Sequence, residues 1–440
     1  MKYSVFAIGK RILNRIWPRK KIIFLDWYKW VNAPFREIFR KNISLRLEFR
    51  TLHFNKSYVE SLVNSSKILK CFWKRNEIKD YKFLTYDNLN LWELSKSSIF
   101  VKLTRCTIEL EDDFKEIKDC FSRAIHFIEC FKKLYNIEKP YAILVEQGLQ
   151  YDSRVAVEVA RRLRIKTVAI ENSFIKDLIF IDNLTGAICN RHTLSRVAWD
   201  RIKARELSEE QIGKLKELWN NYTTQIPQAS RDNLETIRNK LKIDPNKKIA
   251  LLIGQVITDG VMAMDSYIYK DSIDFIKDTI KLFRQHSEYH LIIRLHPKES
   301  YGADWIGRPY NNIALKRLKK LKLDQEKNVS IVHSLEVNTY SLMEIASFAI
   351  TINSQAGLEM LAKYKPVIVL GDAFYAKKGF TYDVNYRETY PVVLKKIIDN
   401  PILSKRQRMD IDKFLYYMIF EYLFPSNLEG CGKKMEKMFN

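Results

Sequence analysis

Thr351–Asp383, TINSQAGLEMLAKYKPVIVLGDAFYAKKGFTYD, decides the reading of this chain. An apolar strand ends in an Asn-Ser turn, a helix follows over GLEMLAKY, PVIVLG makes a second buried strand, and a polar, aromatic loop closes the stretch. Strand, helix and strand in that order give parallel strands joined by a right-handed crossover. Ser354 falls where the helix starts. Its hydroxyl reads as a cap and the N–H groups of Gln355 and Ala356 as an anion site, the plain alternative being a cap with no ligand. Gly357 leaves room for a ligand or a neighbouring strand. Upstream, LIIRLHPKES (Leu291–Ser300) sets His296-Pro297 directly after another apolar strand, with Arg294 and Lys298 close by. An imidazole there donates to a phosphate or carboxylate, or merely to its own loop. Two strand ends with phosphate-compatible groups in one domain point to a nucleotide-sugar site.

The same grammar runs outward from this stretch. YAILVEQ (Tyr141–Gln147) reads as a strand, SRVAVEVARRLRI (Ser153–Ile165) as a helix capped by Asp152 or Ser153, and KTVAIEN (Lys166–Asn172) as a second strand. Glu146 and Glu171 then lie at carboxyl ends of parallel strands, where open α/β sheets bind ligands. Past a boundary near Asp244-Pro245, KKIALLIGQ (Lys247–Gln255) opens a second alternating block. Upstream of both, FKEIKDCFSRAIHFIECFKKLY (Phe114–Tyr135) spaces its apolar residues as a long amphipathic helix. The expected architecture is α/β, two Rossmann-like domains with a central cleft, preceded by a helical, aromatic-rich N-terminal region. Residues 1–240 form an N-terminal, acceptor-side domain that starts with a basic helical segment. Residues 241–400 form the nucleotide-sugar-binding domain, and 401–440 are helices crossing back.

Composition narrows the function classes. The 440 residues carry 75 Lys+Arg against 52 Asp+Glu, a net charge of +23, which favours anionic partners. No helix-turn-helix, RNA-recognition or zinc-finger pattern accompanies that charge, so no specific nucleic acid is expected. The 13 glycines form neither a G-x-G-x-x-G nor a G-x-x-x-x-G-K-[ST] loop, which sets aside dehydrogenases and P-loop enzymes. Six scattered cysteines without a C-x-x-C fit free thiols in a reducing compartment. No apolar window long enough for a membrane span is present, nor a secretory signal. The first fifty residues hold 13 Lys/Arg against Asp26, Glu37 and Glu48, interleaved with aromatic and aliphatic residues. They read as a contact with an anionic membrane surface, or as a solvated helical face. The expected location is cytoplasmic, peripheral at the inner face of the cytoplasmic membrane.

RLHPKE (Arg294–Glu299), INSQAGLEML (Ile352–Leu361) and KPVIVLGDAFYAKKGFTYD (Lys365–Asp383) resemble the bacterial capsule polysaccharide biosynthesis family. Its best-understood members are retaining β-Kdo transferases that use CMP-Kdo. GQVITD (Gly254–Asp259) resembles the family's Gly-Gln-Val followed by an acid, and IENSFIKDLIFIDNLTG (Ile170–Gly186) its acid-plus-D-x-x-G segment. The resemblance spans Tyr141–Asp383 and implies a GT-B-like fold.

It also implies roles. Asp259 is the first candidate for the nucleophile of retaining transfer. Asp265 stands in reserve, since a single acid precedes Gly260 where the family pattern carries a tighter pair. Glu171 is placed ahead of Glu146 as acid/base. Gln255, Arg294, His296, Lys298, Ser354, Gln355 and Gly357 are expected around the donor. Glu359 is expected on the nucleotide ribose, the alternative being an ion pair with Lys363 one turn on. The loop Asp372–Asp383, with Tyr375, Lys378 and Thr381, is expected to cover the donor or grip an acidic acceptor. A CMP-sugar has one phosphate and needs no metal clamp, so neither metal nor cofactor is expected. The expected function is a hexosyl- or Kdo-type, retaining glycosyltransferase of capsule or related surface glycan, with a nucleotide sugar as donor and a glycan or glycolipid as acceptor. The alternative is a non-catalytic glycan-binding or assembly component that keeps the fold.

Overall fold

The computed structural model describes residues 22–25, 51–54, 56–103, 105, 107–140, 142–146, 148–175, 178–182, 196–224, 232–256, 266–302, 309–333 and 337–425. The chain divides into two compact units: 1–103 with 108–189 and 421–440, and 104–107 with 190–420.

The first unit contains β1 (Ile22–Leu25), β2 (Thr51–Phe54), a small hairpin of β3 (Thr85–Tyr86) and β4 (Leu89–Asn90), then β5 (Ala142–Glu146), β6 (Lys166–Asn172) and β7 (Leu178–Asp182). The hairpin turns through Asp87-Asn88, both at positive φ, the two-residue connection whose twist suits paired strands. The main sheet runs β2-β1-β5-β6-β7 and ends on Phe424–Pro425. Its first four strands are parallel, while β7 and Phe424–Pro425 each pair antiparallel with their neighbours.

One expectation changes here. Ile22–Leu25 is not part of a basic surface helix but an inner strand, with Ile23 in register between Leu52 and Ile143. Four apolar residues inside a lysine-rich stretch are too short for periodicity to separate strand from helix. β6 and β7 pair antiparallel, and just past β6 the Ser173 hydroxyl donates to the Ile175 carbonyl at 2.8 Å.

Helix Leu110–Glu138 is the spine of this unit. Ile117, Phe121, Ala124, Ile128, Phe131 and Tyr135 recur three or four residues apart and are buried. Phe127–Phe131 and Phe131–Tyr135 stack at centroid distances of 5.9 and 5.5 Å. Glu111, Asp112 and Asp113 sit in the first turn, where the helix dipole favours acids. Lys139 ends the helix in the left-handed region, with Pro140 next in sequence. The helix after β5 is Tyr151–Arg162 with Gln150 at the cap, rather than Asp152 or Ser153. Asp152 is instead buried in the first turn and pairs with Lys56 at 3.0 Å.

The second unit carries β8 (Lys248–Ile253), β9 (Tyr289–Arg294), β10 (Val329–Val332), β11 (Phe348–Thr351), β12 (Val367–Val369) and β13 (Tyr382–Asp383). All six are parallel in the order β10-β9-β8-β11-β12-β13. Numbered within the unit this is 3-2-1-4-5-6, the Rossmann order, whose direction reverses between β8 and β11. The inner strands are near-continuous apolar runs, as a sheet covered on both faces requires.

The division falls between 189 and 190, not near 240. Helices Arg196–Lys203 and Glu209–Thr224 pack on Lys405–Tyr416 of the second unit. Trp199 meets Phe414 edge-on at 5.8 Å, and Lys203 pairs with Asp410 at 3.4 Å. Each of these largely polar helices buries an apolar residue, Trp199 in the first and Leu215 in the second. The C-terminal helix Lys405–Tyr416 likewise belongs to the second unit, and only the chain from 421 onward belongs to the first.

Candidate functional site

The ends of β8, β9 and β11 meet at the point where the strand order reverses. The Gly254 N–H donates to the Arg294 carbonyl at 2.8 Å, and Thr351 Oγ1 donates to the Ile253 carbonyl at 3.3 Å. A Cβ on Gly254 would stand 2.9 Å from the Arg294 oxygen, so only glycine lets β8 end this close to β9. Gln255 and Asn353 then project from the ends of β8 and β11. The Gln255 amide donates to Asn353 Oδ1. Gln255 Oε1 and Asn353 Nδ2 are buried atoms with no hydrogen-bond partner among the described residues. Leaving such an atom unpaired costs about 1–3 kcal/mol, so an acceptor and a donor side by side read as groups awaiting a ligand.

Ser354 is held on three sides. Its N–H donates to Thr351 Oγ1 at 3.2 Å, its Oγ accepts from the Ala356 N–H at 3.3 Å, and its carbonyl accepts from the Tyr375 hydroxyl at 2.5 Å. The helix is Ala356–Ala362 with Gln355 at the cap, so the Ala356 N–H is spent on Ser354 rather than left for an anion. A Cβ on Gly357 would stand 2.1 Å from the Tyr375 hydroxyl. The room at Gly357 is therefore filled by the Tyr375 ring. Glu359 is buried in this helix, 8% exposed. Lys363, the partner considered for Glu359, pairs with Glu344.

His296 follows β9, half-buried, and its Nδ1 accepts the Lys298 N–H at 3.2 Å. The proton of the neutral ring therefore sits on Nε2, free to donate outward. Burial, with help from Lys298 and Arg294, pushes the imidazole down to about 4 from its ordinary 6.5. Because β9 and β11 flank β8, and strands lie about 4.8 Å apart, His296 and Ser354 start from backbones about 10 Å apart along one edge. Arg294 is turned inward, 4% exposed, with Nε on Thr339 at 3.1 Å and Nη1 on the Leu295 carbonyl at 2.9 Å. It braces the end of β9 rather than reaching out. Lys298 is exposed at the start of a short helix.

The loop after β12 is not an open flap. Tyr375 is fully buried against Ser354, and burial pushes its hydroxyl far above the usual range. Lys378 is 9% exposed; its carbonyl accepts from the Trp199 indole at 3.0 Å and its ammonium lies 5.6 Å over the Phe414 ring. Burial lowers that ammonium to about 8. Thr381 donates to Asp383 at 2.9 Å. A lysine-rich loop is ordinarily a surface loop; here the helix Lys405–Tyr416 covers it.

Glu171 lies one residue before the end of β6 in the first unit, opposite Phe180 of β7, and Glu146 closes β5. Asp259 and Asp265 lie outside the described residues. Sequence reasoning did not single out Asn353 or Thr351. The available signal was the symmetry of the two strand ends, a polar amide directly after β8 and another directly after β11.

A parallel sheet in Rossmann order presents these residues at its reversal point, the place where open α/β sheets hold their ligands. The capsule polysaccharide biosynthesis protein family model matches residues 114–397. The chain belongs to that family. It is 30% identical over 156 residues to the capsule polysaccharide export protein KpsS of Escherichia coli, a match covering 35% of this chain and 36% of that protein. The chain thus matches about a third of that relative's length. Among solved structures, the β-Kdo 2,7 transferase of Thermosulfurimonas dismutans KpsC is 17% identical with a TM-score of 0.40, covering 71% of this chain and 90% of that one. A UDP-GlcNAc 2-epimerase of Methanocaldococcus jannaschii is 13% identical with a TM-score of 0.33, covering 90% and 99%. Likenesses this distant carry no weight about chemistry. Among the described residues, no helix is long and apolar enough to cross a membrane.

Proposed function

We propose that the chain is a glycosyltransferase of surface-polysaccharide assembly, moving Kdo or a similar acidic sugar from a CMP-linked donor to a glycan or glycolipid acceptor. The observation that carries this reading is the unpartnered pair Gln255 Oε1 and Asn353 Nδ2 at the reversal point of the second sheet. An acceptor and a donor in that place suit a sugar hydroxyl or the edge of a base. His296 Nε2–H adds a neutral donor for the single phosphate, and Lys298 a nearby cation. Charge developing on the departing phosphate is then stabilised without a metal. Glu359 is reserved for the ribose and Asp259 for the anomeric carbon, with Glu171 as acid/base. Membership of a capsule polysaccharide family supports the saccharide chemistry.

Incubating the purified chain with a panel of CMP- and UDP-sugars and measuring nucleotide release tests the reading. Release from a CMP-sugar, increased by a glycan acceptor, is the expected result. No release from any member of the panel, with or without acceptor, would count against transfer.

A further inference from the structure

A cavity of about 610 Å³ opens on the second unit beside the outermost strand, β13, two strands out from β11. Drug-sized ligands occupy cavities of this size. Its wall includes Thr381, Tyr382, Lys396, Asn400, Ser404 and Gln407. Several of these are already engaged. Ser404 and Gln407 cap the helix Lys405–Tyr416 reciprocally, and Thr381 is committed to Asp383, which also accepts the Lys377 N–H at 3.0 Å. What remains is specific. The Lys396 ammonium lies 5.7 Å from the centroid of the Tyr382 ring. Among the described residues Lys396 has no carboxylate partner and the Asn400 side-chain amide has no hydrogen bond, its backbone N–H donating to the Lys396 carbonyl. Ile402, 66% exposed, and Val393 add an apolar edge.

We propose that this cavity binds an acidic saccharide segment, separate from the donor site at the ends of β8, β9 and β11. An aromatic ring suits the C–H face of a pyranose, the Asn400 side-chain amide suits a hydroxyl, and an ammonium without a carboxylate partner suits one carboxylate. A nucleotide diphosphate would need more cations than the wall offers. The loop that forms part of the wall, Gly379–Asp383, begins four residues past Tyr375, which supports Ser354. One loop therefore serves both places, as expected if a growing glycan is held while its end is extended. The inference rests on the chain handling saccharides but not on its being a transferase.

The test uses the full chain without nucleotide, titrated calorimetrically with trigalacturonate and with maltotriose. Trigalacturonate is expected to bind and maltotriose to bind more weakly. Lys396→Gln is expected to weaken trigalacturonate roughly tenfold, the loss of one charge-assisted hydrogen bond, and to leave maltotriose unchanged. Asn400→Trp fills the cavity and is expected to remove both; Asn400 is exposed, and an unchanged melting curve shows that the variant folds. Binding that survives both substitutions, no binding of either saccharide, or binding to phosphatidylglycerol vesicles but to neither saccharide would overturn the proposal. Trigalacturonate binding without nucleotide release from any sugar donor would sink the transferase reading and leave this site standing. Nucleotide release without trigalacturonate binding would sink this site alone.

Discussion

His296 shows how one backbone contact sets the chemistry of a side chain. With the Lys298 N–H on Nδ1, the neutral ring can only donate from Nε2. Its pKa of about 4 keeps it neutral across the physiological range. The sign of the linked stability follows. A histidine whose folded-state pKa lies below its ordinary 6.5 contributes stability that is complete above 6.5 and is lost as pH falls towards 4. His290, bonded to Ser330 at 2.8 Å and likewise pushed down to about 4 by burial, acts in the same direction. Denaturant midpoints are expected to fall between pH 6.5 and 4, and His296→Gln and His290→Gln each to flatten part of that slope; a slope unchanged in both single variants would refute the assignment. His296→Ala and Ser354→Ala are each expected to weaken CMP binding by about 1–3 kcal/mol, measured by calorimetry. That Gln255, His296 and Ser354 stand two or three residues past apolar strands was legible in the sequence. Arg294, Tyr375 and Lys378 were not read correctly. Whether a polar side chain turns outward or braces the loop behind it depends on packing partners remote in sequence, such as Thr339, Ser354 and Trp199.

The turn into helix Ala356–Ala362 is a lock between two elements. Gly357 admits the Tyr375 ring, and the Tyr375 hydroxyl fixes the Ser354 carbonyl. Gly357→Ala forces the ring away and is expected to destabilise the chain by about 1–3 kcal/mol, as overpacking usually does, and to weaken CMP binding as Ser354 shifts. Tyr375→Phe in the same chain removes the nearest clashing atom and should recover part of the loss; a strictly additive double variant would show that the two residues do not meet. Five strands of the second sheet were legible because they are apolar runs joined by periodic helices, while β13, two residues long, lay in what read as a loop. The first sheet was only half legible. β5 and β6 read plainly, but β1 and β2 are four residues each and owe their place to partners far along the chain, Ile23 to Ile143 and Leu52 to Ile23. Local pattern carries no such information.

On the scale of the whole molecule, a net charge of +23 predicts salt-sensitive attraction to anionic surfaces, screened within about 10 Å at 0.1 M salt. The basic N-terminal stretch is the expected contact with anionic lipid, but the strand within it dictates how to test this. Removing residues 1–40 would delete β1 from between β2 and β5 and unfold the first sheet. Replacing Arg11, Arg15, Arg19, Lys20 and Lys21 by Gln leaves the strand intact; flotation with phosphatidylglycerol liposomes should drop, and undiminished flotation would move the contact elsewhere. The chemistry requires the same separation of scaffold from reacting group. β8 ends at Ile253, its neighbours β9 and β11 carry His296 and Ser354 just past their ends, and Asp259 follows β8 by a few residues of chain. On the proposed reading the three strand ends hold the donor, and a carboxylate acting on the anomeric carbon changes only what happens after binding. Asp259→Asn is therefore expected to abolish transfer and leave the affinity for CMP within about twofold, a difference of about 0.4 kcal/mol. Normal turnover by Asp259→Asn would remove it as nucleophile and pass the role to Asp265, whereas a parallel loss of CMP binding would make Asp259 a binding residue.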